Sequence, residues 1–367
     1  MTSFTPIPSF LGGLFLSYST SALLVTQGRV LGCSGVAHSS IATIFTMFAR
    51  LSGSKVDKRA PSDSRESELG RAPSTTSGWK VAAFAGLVAG GGLVRLLQPI
   101  LEGWTGSRLF DAFPSGGDGA GRAILAGLLV GAGTKLANGC TSGHMLLGLA
   151  RFSRRSLAAV LTFFSVALVT ARVSSAPTHL FIPPPSSAGA ATPSSALVLL
   201  SLPFLLSLPS VTYSLPLLHR RPALASLVHT FSSAVLFSIG LSLTGMLRPS
   251  KVISFFYLPL PSSLVAPAPG PWDPSLAMVA LGGLVPSALV WQKVKGWKTP
   301  LRTARWEVPQ GGKVDGWLFL GSALFGVGWG LSGICPGPLF TVLGAGVGGL
   351  PIALFAAAFA AGGLLAG

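Results

Sequence analysis

Stretches of about twenty apolar residues, nearly free of charge, recur along the whole chain and restrict its fold more than any other feature. Examples are 80–101 (KVAAFAGLVAGGGLVRLLQPIL), 222–246 and 350–366. At a rise of ~1.5 Å per residue, such a segment matches the hydrocarbon thickness of a bilayer. Only 10% of the 367 residues are charged, against about 25% in soluble domains, so most of the surface cannot face water. The expected fold class is an all-α polytopic membrane protein. It should have about nine to ten transmembrane helices, short re-entrant half-helices and an internal pseudo-symmetric repeat.

The spans read from hydropathy are 10–26, 36–49, 80–100, 121–137, 155–173, 195–217, 222–246, 275–292, 315–331 and 350–366, the second being short for a span. The organisation expected is N-terminal helices with a first cysteine motif (1–50), a polar linker (51–78), a first core half (79–217) and a second core half (218–367). The linker is rich in Ser, Pro and charge, a composition that cannot bury a core and is expected to be disordered. The N-terminus, MTSFTPIPSF, has neither a basic n-region nor an Arg-rich amphipathic helix, so the first apolar segment is expected to stay in the protein.

The formal charge is +16, from 26 Lys and Arg against 10 Asp and Glu. The basic residues gather in short loops: Arg151, Arg154 and Arg155; Arg220 and Arg221; Lys293, Lys295, Lys298, Arg302 and Arg305. This is the pattern of cytoplasmic loops and of affinity for anionic lipid, not of nucleic-acid binding. It predicts one face carrying 51–78, 151–155, 219–221 and 293–313, and the other carrying 101–119, 174–194 and 248–274. The loop 174–195, without Lys, Arg, Asp or Glu, fits the second face. Keeping all basic loops together requires that 140–150 and 335–348 enter the membrane without crossing it. Such broken backbone is tolerated only inside protein or along a water-filled path.

These two segments resemble each other. VGAGTKLANGCTSG (130–143) aligns without a gap on FGVGWGLSGICPGP (325–338), matching Gly131 with Gly326, Gly133 with Gly328, Leu136 with Leu331 and Cys140 with Cys335. GRVLGCSG (28–35) is a weaker third echo, so all three cysteines, Cys33, Cys140 and Cys335, sit among glycines. Paired interrupted segments in two halves of a chain point to a transporter's central site. The residues expected along that path are Arg29, Cys33, Lys135, Asn138, Gly139, Cys140, Thr141, Ser142, Gly143, His144, Ser332, Gly333, Cys335, Pro336 and Gly337.

The chemistry follows from those residue types. A helix starting after Cys140 aims unpaired amides at the break, where an anion would be held. Lys135 and Arg29 would add positive charge, and a Lys at membrane depth is a functional candidate by default. Helix N-termini favour an anion by about 0.3–1 kcal/mol, less than burial disfavours one, so neutral S–H groups are expected. These are weak, polarizable donors suited to a soft sulphur atom and of little use to a hard oxyanion. Asn138 is expected to cap the broken backbone. His144, four residues after Cys140, is read as a packed or path-lining residue ahead of a metal ligand or base. Trp79, Trp272 and Trp317 read as interface anchors, and Trp329 as a candidate to line the path. No acidic residue lies mid-span, which argues against a carboxylate relay. No zinc-like spacing occurs, and no cofactor or catalytic residue is expected.

NGCTSGHMLLGLARFSRRSL (138–157) resembles the signature of the YeeE/YedE sulphur-transport family, whose members include a thiosulfate uptake transporter; GWGLSGICPGPLF (328–340) is similar to its second cysteine motif. GMLRPSKVISFF (245–256) and WDPSLAMVALGG (272–283) are similar to stretches of its C-terminal half. The resemblance implies a helical core with inverted pseudo-symmetry, and thiosulfate passed between cysteines by transient S–H···S contacts. Cys140 and Cys335 match the motifs. Cys33 stands in GCSG where the family often has GISG, and HMLLG replaces the more usual HGICG.

The function expected is thus uptake of thiosulfate, or a related small sulphur-containing anion, across the plasma membrane, with membrane lipid and a cytosolic sulphur-accepting protein as partners. The alternatives are a membrane-embedded sulfurtransferase, a transporter of another anion or of a metal, and an organellar location. Five Met and five His are few for soft-metal transport.

Overall fold

A computed structural model describes residues 4–51, 78–113, 117–174, 220–261, 267–309 and 312–367. In chain order these form α1 (Pro6–Gln27), α2 (Cys33–Leu51), α3 (Gly78–Leu96), α4 (Gln98–Thr105), α5 (Gly117–Leu136), α6 (Ser142–Leu149, wound as a π-helix) and α7 (Arg154–Val173). They continue as α8 (Pro222–Thr244), α9 (Pro249–Phe256), α10 (Ser275–Val294), α11 (Gly316–Ser332), α12 (Pro336–Gly344) and α13 (Gly349–Leu365).

One motif occurs four times: a long helix, a left-handed turn residue, a shorter helix, then a further helix. The turn residues are Gly28 (φ 67°) after α1, Asn138 (φ 55°) after α5, Gly245 (φ 74°) after α8 and Gly333 (φ 69°) after α11. A side chain is disfavoured at such φ, and Asn is among the residues that tolerate it best. Asn138 and Gly333 are the positions that the ungapped sequence alignment superimposes. Its role is in the backbone, since its side chain is exposed.

The long helices pair in the same way twice. α1 runs antiparallel to α8, and α5 to α11; a Cβ on Gly12 would stand 2.8 Å from the Gly240 carbonyl oxygen, and one on Gly133 would stand 2.7 Å from that of Gly321. α10 packs on α1 and α3 on α8; α13 packs on α5 and α7 on α11. Small residues at the crossings let the backbones touch, as membrane helices require in the absence of a hydrophobic drive between them. The outcome is two matching rows of four helices, α10–α1–α8–α3 and α13–α5–α11–α7. α6 contacts both α7 and α10 at one end of the seam, while α12 contacts both α3 and α13 at the other.

Among the described residues, five helices are long and apolar enough to cross a bilayer: α1, α3, α7, α8 and α10. The number becomes six if α11 and α12, which meet at a 45° bend, form one broken span. This is fewer than the nine to ten expected. α2 and α13 are shorter apolar helices, and α5 carries Asp118, Arg122 and Lys135. The expected span 80–100 is interrupted at Leu97, because Pro99 in the first turn of α4 cannot continue the hydrogen-bond ladder of α3. The expected span 195–217, the loop 174–194 and nearly all of the linker 51–78 lie outside the described residues.

The loops sort to two ends. At one, Arg29 pairs with Glu307 at 3.1 Å, Arg151 donates to the Pro309 carbonyl at 3.0 Å, and Arg155 donates to those of Lys313 and Ala137 at 2.7 and 3.0 Å. At the other, Arg248 pairs with Asp111 at 3.0 Å and Arg122 donates to the Leu331 carbonyl at 2.8 Å. The loops 151–155, 293–309 and 312–313 therefore share one end, and 101–113, 248–261 and 267–274 share the other.

Candidate functional site

The three cysteine breaks meet in the interior through two adjacent hydroxyls. Cys33, Cys140 and Cys335 are free thiols, all buried. Cys33 opens α2 and Cys335 caps α12. Cys140 sits just ahead of α6, in the turn that also carries Thr141 and Ser142. The Ser142 hydroxyl accepts the Cys33 N–H at 3.0 Å and lies 3.3 Å from the Cys140 sulphur. The Thr141 hydroxyl reaches the Cys335 sulphur at 3.6 Å. A Cβ on Gly337 would stand 3.3 Å from the Cys33 sulphur, so its lack of a side chain lets α12 approach α2.

Beside this junction lies a cavity of about 140 Å³ with Cys33, Cys335, Thr141 and Ser142 on its wall. The rest of the lining is almost wholly apolar and includes Phe237, Leu241, Met145, Met246, Leu276 and Trp329. Cys140 is set behind Ser142 and does not line it. Trp329 does, as its position beside the second break predicts. Its ring stacks on Phe325 at 5.7 Å and meets Phe256 edge-on at 4.8 Å, and its buried indole N–H has no hydrogen-bond partner among the described residues.

The amide donors expected at the breaks are unevenly supplied. In α6 the first helical amide bond is His144 N–H to Cys140 C=O, at 2.9 Å, leaving the amides of Thr141, Ser142 and Gly143 at the free helix start. In α12, Pro336 and Pro338 have no N–H, and only Gly337 between them offers one.

Several residues expected on the path stand elsewhere. Lys135 occupies the last turn of α5, half-buried, with its stem and ammonium against Gly367: a Cβ there would be 2.4 Å from its Cε and 3.0 Å from its Nζ. It does not line the cavity. Arg29 is bound by Glu307, by Gln27 at 2.9 Å, and by the Trp79 ring at 5.2 Å. Trp79 is thus buried under Arg29, whereas Trp272 and Trp317 are exposed as anchors would be. His144 lies 3.2 Å from both the Ala137 carbonyl and the Ser156 hydroxyl and is packed against Gly139. It straps the end of α5 to α7. Ser332 donates to the Gly328 carbonyl at 2.8 Å and accepts the Ile334 N–H at 3.2 Å, shaping the turn at Gly333.

Sequence reasoning missed the fourth break. α9 carries Lys251, 1% exposed, facing Asp273 across 3.8 Å. The signal was present in two separately quoted stretches, GMLRPSKVISFF and WDPSLAMVALGG, each holding one partner. At the basic end, burial draws the Arg151 guanidinium down to about 10, which leaves it protonated at neutral pH.

A model of a family of unknown function, DUF6691, matches residues 225–366. A protein of Xylella fastidiosa strain 9a5c named "Probable transporter" is 37% identical over 134 residues, covering 36% of this chain and 82% of that protein. A second "Probable transporter", from strain Temecula1, is 32% identical over 163 residues, covering 44% of this chain and 89% of the relative. No solved structure matches.

Proposed function

The chain belongs to the family of the Xylella fastidiosa probable transporters, and from that premise we propose that it takes up thiosulfate, or a related anion with a terminal sulphur, along a path through Cys33, Cys335 and Cys140. It is a multi-pass integral membrane protein, and the relatives' name supports transport as its work. The observation that carries the substrate reading is the convergence of two thiols, Cys33 and Cys335, on one apolar cavity, with the third, Cys140, just behind Ser142 on its wall. An apolar wall removes water from whatever enters, at a cost that rises with charge density. A large, soft anion with one sulphur terminus suffers less than sulphate, and the polarizable thiols offset part of the loss. A membrane sulfurtransferase would need a cation or base to activate a thiolate. Lys135 and His144, the two nearest in sequence, are engaged with Gly367 and with Ala137 and Ser156. Cargo released at the basic end, which the charge pattern assigns to the cytoplasm, would pass to a sulphur-accepting protein, with the plasma membrane as the site of uptake.

Purified protein in liposomes, given labelled thiosulfate with and without excess sulphate, tests this. Saturable uptake that sulphate barely inhibits is expected. Equal competition by sulphate, or no thiosulfate uptake at all, would overturn the reading.

A further inference from the structure

We infer that Lys251, held by Asp273 in the break between α8 and α9, is the cationic station where the anion enters the cavity; this deepens the anion-transport reading and rests on it. The cavity wall contains no charged residue among those described. A dianion moving into it needs a compensating cation close by, and Lys135 does not provide one.

Lys251 is not on that wall itself, but it packs on a residue whose neighbour is. Its stem lies on Gly245, where a Cβ would be 2.7 Å from its Cδ, and the next residue, Met246, lines the cavity. Asp273 caps the start of α10, accepting the Ser275 N–H at 2.9 Å, and Leu276, one residue on, also lines the cavity. The pair is thus flanked on both sides by cavity residues, at the end opposite the basic loops.

The two ion pairs of this region are built differently. Asp111 grips Arg248 at 3.0 Å and takes the Ser250 N–H on its other oxygen at 2.9 Å. That is a tight two-point fixture. Lys251 and Asp273 are both 1% exposed in their side chains with their charged atoms 3.8 Å apart, and the ammonium also donates to the Thr5 hydroxyl. An incoming anion can compete with this carboxylate for the ammonium across the wider of the two gaps. As the anion moves on toward Cys33 and Cys335, Asp273 reclaims the ammonium. Three breaks in the repeated motif bring sulphur, and the fourth brings exchangeable charge.

A neutralised double variant separates this role from a structural one. With labelled thiosulfate in liposomes, and Cys335→Ala as a control for the thiol path, Lys251→Met should lower uptake about tenfold or more, with Lys251→Arg less affected. Lys251→Met with Asp273→Asn leaves no uncompensated buried charge, so it should regain the melting temperature and elution profile of the wild type while remaining as inactive as Lys251→Met. Recovery of uptake to within about twofold of wild type in that folded double variant would show a pair that only holds the fold, overturning this inference alone. Absence of thiosulfate uptake by the wild type would overturn the transport reading and this inference with it.

Discussion

The Cys33 backbone N–H donates to the Ser142 hydroxyl at 3.0 Å, joining two helix breaks 109 residues apart in the chain. One hydroxyl thereby fixes the start of α2 against the start of α6, and the same oxygen is 3.3 Å from the Cys140 sulphur. Ser142→Ala leaves a buried amide unpaired, so the variant should lose about 1–3 kcal/mol of stability. Thr141→Val keeps its shape and removes only the weak donor to Cys335, so it should melt close to wild type. Thermal unfolding in detergent, beside uptake at matched protein, checks the ranking. An unchanged melting temperature for Ser142→Ala would mean that the hydroxyl does not hold α2.

Replacing Cys140 or Cys335 by Ala should eliminate thiosulfate uptake and leave a folded protein. Ser keeps a small donor but loses the polarizable sulphur, so it should do far worse than so conservative a change usually does. Thiosulfate offers one sulphur to the thiols, and sulphate offers only oxygens. Any uptake surviving in a Ser variant should therefore be more sensitive to sulphate competition than that of the wild type. Wild-type rate and selectivity in both Ser variants would reduce the cysteines to packing residues.

What the sequence reveals and conceals follows from how local each feature is. The boundaries of α1, α7, α8, α10, α11 and α13 lie close to those read from hydropathy, because a membrane span is a property of one contiguous segment. The thiol breaks are legible because their glycines, Asn138 and cysteines lie within a few residues of one another. The fourth break hides because TGMLRPSK has no cysteine and a single glycine, and Lys251 meets Asp273 only in the fold. Arg29 reads as a path cation until Glu307, 278 residues away, is seen to hold it. Lys135 misleads for a geometric reason: the left-handed residue Asn138 turns the chain between it and Cys140, so five residues of sequence do not become one turn of approach.

That placement makes Lys135 a discriminating position. With its ammonium beside Gly367 and off the cavity wall, Lys135→Met should leave thiosulfate uptake within about twofold of wild type, as expected of a side chain whose stem packs and whose head seeks water. A loss as severe as that expected for Lys251→Met would move the cationic station to α5. Uptake and surface expression measured on both variants in parallel decide between the two lysines.

The orientation of the whole molecule can be read from labels at its two ends. Arg248 and Lys251 raise the positive count at the end holding 101–113 and 248–261, but each faces a buried acid, Asp111 and Asp273. At the opposite end Arg29 is paired with Glu307, while Arg151 and Arg155 donate to backbone carbonyls there and Arg151 also lies over the Trp291 ring. Exposed Arg154 and Lys295 border a basic pocket with them. The larger share of the positive charge, which directs insertion, therefore lies at that second end. The native cysteines are buried and should give little background, so single cysteines can be introduced at exposed Phe152, Lys295 and Ala268. In intact cells an impermeant maleimide should label Ala268→Cys, and it should reach Phe152→Cys and Lys295→Cys only after the membrane is opened. Labelling of Phe152→Cys and Ala268→Cys from the same side would break the two-ended arrangement. Labelling of Phe152→Cys and Lys295→Cys alone in intact cells would invert it, placing the Lys251 end of the cavity toward the cytoplasm and making that end the exit.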